Sequence, residues 1–195
     1  MTNSNEYRVV VIGVSTGGMN ALSVVIPSLP RDFPLPVVVV QHLHMDSDGF
    51  LTEFLDDASA LRVKEADDKE PLRGLTTYIA PADYHLLIEA NRTLSLSVDE
   101  PFNHSRPSID VLFDSAAEVF AGDVIGVVLT GANADGSQGL KRIKAAGGFA
   151  IVQNPETAES AEMPQAAIAA TNVDLVVELN EIGPFLVSCC GVSSP

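Results

Sequence analysis

Positive charge is scarce in this chain. Its 195 residues carry 11 Lys and Arg against 26 Asp and Glu, for a formal net charge of −15. Lysine occurs only at positions 64, 69, 141 and 144. Such a surface has little with which to neutralise phosphates, which argues against nucleic acid or an anionic membrane as a partner. Long apolar runs are missing too. None approaches the ~18 residues of a membrane span, and residues 1–6 lack a basic-then-apolar leader, so neither membrane insertion nor secretion is expected. Cysteine is limited to the adjacent pair Cys189 and Cys190, which cannot staple distant parts of a chain. A reduced, cytoplasmic compartment is the expectation. Charged residues make up only 19% and hydrophobic ones 46%, which excludes a disordered chain, and the length fits one domain.

What is present alternates between two periods. Residues 8–13, 37–40, 78–80, 124–130, 149–153 and 173–179 read as strands, several of them continuous apolar runs that suit burial on both faces. Residues 19–26, 109–120, 140–146 and 165–170 read as helices, with Ser108 as a candidate N-cap, Gly122 as a stop and Pro164 near a helix start. Residues 85–89 and 94–98 flank the turn-forming Asn91-Arg92 and predict a local antiparallel hairpin. The acidic stretch 56–69 reads as a solvated surface, and residues 1–7 and 188–195 as flexible tails. The expected fold is a single doubly wound α/β domain. Its sheet is mainly parallel, with helices on both faces and one antiparallel hairpin.

In open α/β sheets, ligands bind outside the carboxyl ends of the strands. That rule selects the loops Gly13-Val-Ser-Thr-Gly-Gly18, Gln41-His-Leu-His44 and Thr130-Gly-Ala-Asn-Ala-Asp-Gly136. The first satisfies G-x-S-x-G, in which small neighbours let a serine sit on a tight strand-to-helix turn. A glycine-rich phosphate loop is the competing reading. The glycine spacing does not fit a dinucleotide fingerprint, and the second strand ends in Gln41-His42 instead of an acid. No lysine stands in the loop, as a P-loop requires. His42 fits a general base better than His44, which faces the other way if the strand continues. Asp135 is either the carboxylate that orients the imidazole or an N-cap for the helix beginning near Ser137. The order Ser15, His42, Asp135 differs from that of α/β-hydrolases. His85 and His104, the alternative bases, belong to the hairpin and its trailing loop, away from the predicted catalytic edge.

Taken together, these loops resemble the catalytic domain of the chemotaxis protein-glutamate methylesterases (CheB type). The resemblance covers residues 9–179. It rests on Val-Ile-Gly-Val-Ser-Thr-Gly-Gly18, Val39-Val40-Gln41-His42, Tyr78-Ile79-Ala80-Pro81, Arg106-Pro107-Ser108-Ile109-Asp110, Thr130-Gly131 through Asp135-Gly136, and Gln153-Asn154-Pro155 with Met163-Pro164. It implies Ser15 as nucleophile, His42 as base and Asp135 as orienting acid, with Thr16 and the Ala132 N–H near the oxyanion. No metal or organic cofactor is implied. The implied substrates are γ-glutamyl methyl esters on chemoreceptor helices, with glutamine deamidation as a second activity. A separate receiver domain, methyltransferase or kinase is a further partner to expect.

The chain departs from the family pattern in three places. Ala132-Asn133 stands where a pair such as Met-Gly is usual, and asparagine there suits a positive φ. His104 lies one place earlier than the family's histidine. The N-terminal receiver domain of full-length members is absent, as expected of a stand-alone esterase or a piece of a larger protein. Receptor methylation regions are acidic, so a local basic patch at Arg106 and Arg142 is one way to offset repulsion, and adaptation to a salty cytoplasm another. The competing function is a catalytically idle interaction module of the same fold. A nucleotide-binding regulator is a weaker alternative.

Overall fold

Valine-rich runs that are apolar at every position need cover on both faces. The computed structural model, which describes residues 7–42 and 49–190, supplies that cover. In chain order the first half comprises β1 (Val9–Val14), α1 (Gly18–Val25), β2 (Val37–Gln41), α2 (Phe50–Ala58), β3 (Arg62–Glu65), β4 (Thr76–Ile79), β5 (His85–Ile88) and β6 (Leu94–Ser97). The second half comprises α3 (Ile109–Phe120), β7 (Val124–Val128), α4 (Ser137–Ala145), β8 (Phe149–Gln153), α5 (Glu162–Ala170), β9 (Leu175–Val177) and α6 (Leu179–Cys189). Seven strands form one wholly parallel sheet in the order β3-β4-β2-β1-β7-β8-β9. β5 and β6 pair separately as the antiparallel hairpin, with Arg92 at a left-handed φ in its turn.

The period of two along each strand divides the core. Val9 and Val11 join α3, α4, α5 and the hairpin on one face, where Phe113 and Leu112 are fully buried. Val10, Ile12 and Val14 join α1, α2 and α6 on the other, around Phe33 and Leu22. β1 lies between β2 and β7, so the chain winds outward from it in both directions. The carboxyl ends of these three central strands are therefore adjacent.

Three elements were not anticipated. The stretch 56–69, read as solvated surface, holds the end of α2 and the edge strand β3, with Leu61, Val63 and Ala66 buried. A four-residue edge strand buries only alternate positions, so its outward charges hid it. Gly49, at a left-handed φ of 80°, is the N-cap of α2. α6 carries an internal Pro184 and was read partly as tail. A capping box between Glu178 and Glu181 starts it, and Ile182, Leu186 and Val187 bury its inner face. The helix runs to Cys189, so residues 188–190 are not tail, and Glu178 shortens the preceding strand to three residues. Tyr7 packs edge-on against Phe149, ring centroids 6.2 Å apart. The remaining tail residues, 1–6 and 191–195, lie outside the described residues, as does His44. Among the described residues no helix is long and apolar enough to cross a membrane.

Candidate active site

The loops leaving β1, β2 and β7 are bound to one another before any side chain is considered. The Ser15 N–H donates to Thr130 O at 3.0 Å, and the His42 N–H to Val14 O at 3.1 Å. Gly17, at φ 80°, makes the left-handed step from Ser15 into α1, a conformation costly for a residue with a Cβ. Gly18 is required for a different reason. The Gln41 amide packs against its Cα, where a Cβ would overlap Gln41 Oε1. From that position Gln41 Nε2 donates to both Ser15 O and His42 O at 2.9 Å. Thr130 ties in a further loop: its hydroxyl donates to Thr16 O at 2.8 Å and accepts the Ser160 N–H at 2.8 Å.

On this frame the three side chains meet. Ser15 Oγ lies 3.2 Å from His42 Nδ1, and His42 Nε2 lies 2.8 Å from Asp135 Oδ2. Asp135 can only accept while ionised, so Nε2 carries the ring proton and Nδ1 offers its lone pair to the serine. The ring is used in the opposite sense to the serine proteases, where Nε2 faces the serine.

Asp135 caps a helix, but not the predicted one. α4 begins behind Gly136 without a side-chain cap, whereas Asp135 reaches across to the start of α3. Its carboxylate accepts the Ile109 N–H at 2.7 Å, the Asp110 N–H at 3.0 Å and the Ser108 hydroxyl at 3.0 Å. Ser108 occupies the N-cap position of α3, yet its own side chain caps no helix N–H. Burial of the Asp135 carboxyl acts to raise its pKa. The bond from His42 and the N–H groups of Asp110 and Ile109 outweigh that and hold it below the ordinary carboxylate value. One α3 residue further, Asp110 accepts the Gly139 N–H at 2.7 Å and is itself buried. Burial pushes its pKa up to about 6, against the pull of the Gly139 N–H, and the charge on Asp135 adds to the rise. The two neighbouring carboxyls are thus driven apart.

Sequence reasoning missed Gln41, Asp110 and the side-chain role of Asn133. Asn133 is not among the residues of positive φ. Instead its Oδ1 accepts the Asp135 N–H at 3.0 Å and its Nδ2 stands 3.3 Å from His42 Nδ1. The only sequence signals for these residues were their positions inside the quoted motifs. Asp110 stands two residues past Ser108, and Gln41 directly before His42. His104 was placed away from the catalytic edge. In the structure it lines a cavity of about 170 Å³ with His42 and Arg106, because the loop after β6 folds back over the sheet edge. His85 is structural: it is buried, and its Nδ1 accepts the Ser108 N–H at 3.2 Å. Thr16 is exposed beside Ser15, and Ala132 is exposed in the β7–α4 loop. Gly131 between the strand and Ala132 lies so near the serine that an added Cβ would come within 2.9 Å of Ser15 Cβ. Arg106 and Arg142 do not form a free basic patch. Arg106 donates to Asp83 and to the carbonyls of Val98 and Asp99, and Arg142 pairs with Asp114 at 3.3 Å. A cavity of about 310 Å³ opens at Ser15, lined by Met19, Asn20, Gln41, Leu51 and Glu159.

A hydroxyl, an imidazole and a buried carboxylate in hydrogen-bonded sequence thus stand at the carboxyl edge of a doubly wound sheet, beside an open cavity, the grouping that serine hydrolysis would need. Comparison with known proteins narrows this. The family described as CheB methylesterase matches residues 10–186, and the chain belongs to that family. A protein of Leptospira interrogans is 50% identical over 182 residues, 93% of this chain and 94% of its own length. A protein of Thermotoga maritima named protein-glutamate methylesterase/protein-glutamine glutaminase is 38% identical over 183 residues, 92% of this chain. The chain spans about half of that longer relative, 53% of its length. The crystal structure of the Thermotoga maritima CheB methylesterase catalytic domain superposes with a TM-score of 0.90 at 38% identity. The match covers 93% of this chain and 98% of that one.

Proposed function

We propose that this chain hydrolyses γ-glutamyl methyl esters on chemoreceptor helices, releasing methanol, and deamidates receptor glutamines by the same route. The observation that carries the reading is the unbroken contact from Ser15 Oγ through the His42 ring to Asp135. Ser15 Oγ attacks the ester carbonyl carbon while its proton passes to His42 Nδ1. Asp135, charged and held by the α3 N-terminus, stabilises the imidazolium. The carbonyl oxygen becomes an oxyanion, and we assign its stabilisation to the Ala132 N–H and to Thr16 beside the serine. The tetrahedral carbon then expels methoxide, which leaves as methanol with the proton from His42. Water, activated by the neutral imidazole, attacks the acyl-serine and restores the Ser15 hydroxyl with a glutamate γ-carboxylate as product. For glutamine the leaving group is ammonia.

The cytoplasm is the compartment this substrate requires, and the chemoreceptor is the partner; a receiver domain, methyltransferase or kinase acting in trans belongs to the same reading. The test is methanol release from methylated receptor. Ser15→Ala should lower turnover by about 10³-fold or more with the fold unchanged by circular dichroism. Wild-type turnover in that variant would sink the mechanism.

A further inference from the structure

The imidazole nitrogen that faces Ser15 has a second neighbour. His42 Nδ1 lies 3.2 Å from Ser15 Oγ and 3.3 Å from Asn133 Nδ2. The orientation of the Asn133 amide is fixed independently, because its Oδ1 accepts the Asp135 N–H at 3.0 Å in an Asx turn. The atom turned to the ring is therefore the NH₂, which donates and cannot accept. A neutral Nδ1 has one lone pair, so the serine hydroxyl and the asparagine amide compete for it. When the serine proton moves to Nδ1, the ring presents an N–H to an N–H donor, and one hydrogen bond becomes a repulsive contact.

We infer that Asn133 is a positioning residue that acts through His42: it holds the resting imidazole in place and opposes the protonated ring, so that it restrains the proton transfer from Ser15. The inference rests on the catalytic reading of Ser15, His42 and Asp135 given above. Among the described residues, the other charged groups around the ring do not duplicate this effect. Asp135 bonds the opposite nitrogen, with Asp110 beyond it at the start of α3. His104 and Arg106 share a cavity with His42 from the loop after β6, and Arg106 is already paired with Asp83. Glu159 stands against Gly17 and lines the cavity at Ser15. Among these described neighbours, only Asn133 and Ser15 meet Nδ1.

Two variants separate this role from a structural one. Asn133→Asp keeps the acceptor for the Asp135 N–H but turns an oxygen toward Nδ1, and Asn133→Ala removes both groups. A hydrogen bond of ordinary net strength corresponds to a shift of about half a unit to one unit in pH. The acidic limb of the kcat/KM profile should therefore move to higher pH by that amount in Asn133→Ala and further in Asn133→Asp. The ring signals of His42, followed by NMR without substrate, should shift in the same order. Plateau kcat in Asn133→Ala should rise about 3- to 10-fold with KM unchanged. A purely structural Asn133 predicts lost activity with an unmoved limb in Asn133→Ala, and a shift in Asn133→Asp alone, which the added charge beside the ring would cause in either case. A limb and ring titration that stay in place in Asn133→Ala overturn the inference. Ser15→Ala run alongside keeps the two ideas apart: turnover surviving in it sinks the catalytic reading, while the ring titration still decides the Asn133 contact.

Discussion

Replacing Asp110 with asparagine should stabilise the protein in a way that grows with pH. Asp110 is buried beside the charged Asp135, and its pKa rises from 3.8 to about 6 on folding. A group whose folded pKa is raised contributes stability that is complete below the unfolded value and lost as the pH climbs through the folded one. At 1.36 kcal/mol per unit, the loss reaches about 1 kcal/mol by pH 4.5 and about 3 kcal/mol by pH 7.5. Asparagine has nearly the same shape and still offers an oxygen to the Gly139 N–H, but it does not titrate. Any fixed cost of its NH₂ group is the same at every pH and cancels in the comparison. Urea unfolding of both proteins at pH 4.5 and 7.5 should therefore show the variant gaining about 2 kcal/mol on the parent between the two conditions. That is a relative midpoint movement of about 1 M urea for an m-value near 2 kcal/mol/M. A difference that is flat, or that shrinks as pH rises, would falsify the claim that burial beside the charged Asp135 raises the pKa of Asp110.

Other perturbations probe the frame around the site. Gly18→Ala should displace the Gln41 amide and free the Ser15 and His42 carbonyls it bridges; we expect kcat to fall at least tenfold while the thermal midpoint moves by only a few degrees. Asp135→Asn removes the charge that holds both the imidazole and the first turn of α3. Turnover should drop by about 10³- to 10⁴-fold, and the reduced stability should show in the same urea titration. Because the Asp135 pKa is depressed, its contribution in the parent is complete above the ordinary carboxylate value and is lost only as the pH falls through the lower folded one. An acid titration of the parent against Asp135→Asn checks that sign: their stabilities should converge only at strongly acidic pH. Phe113→Ala, at a fully buried position between α3 and α4, should cost about 3–5 kcal/mol. A loss under 1 kcal/mol there would mean the α3 side of the core is not packed as described.

Much of the architecture was legible because it depends on short windows. The apolar runs at 9–14, 37–41 and 124–128 can only be central strands, and the spacing Ile109, Leu112, Phe113, Ala116 admits only a helix with one buried face. β3 and α6 escaped because an edge strand buries alternate residues and because Pro184 masked a helix that its flanking capping box and apolar face sustain. The rule that sheet ligands gather at the carboxyl ends of strands selected the three loops that hold Ser15, His42 and Asp135, and the resemblance to the methylesterases singled out those residues within them.

Local sequence thus decided the central strands, most of the helices and which loops could carry chemistry, since period and turn residues act over a few neighbours. It could not decide who partners whom. Asp135 had a nearby helix to cap and caps α3 instead, because the order of β1, β2 and β7 brings that helix start under the loop. The same strand order turns Asn133 toward the imidazole, sets Gln41 beneath two carbonyls and carries His104 to the rim. Those contacts join residues far apart in the chain, and only the packing of the sheet and its helices fixes the distances between them.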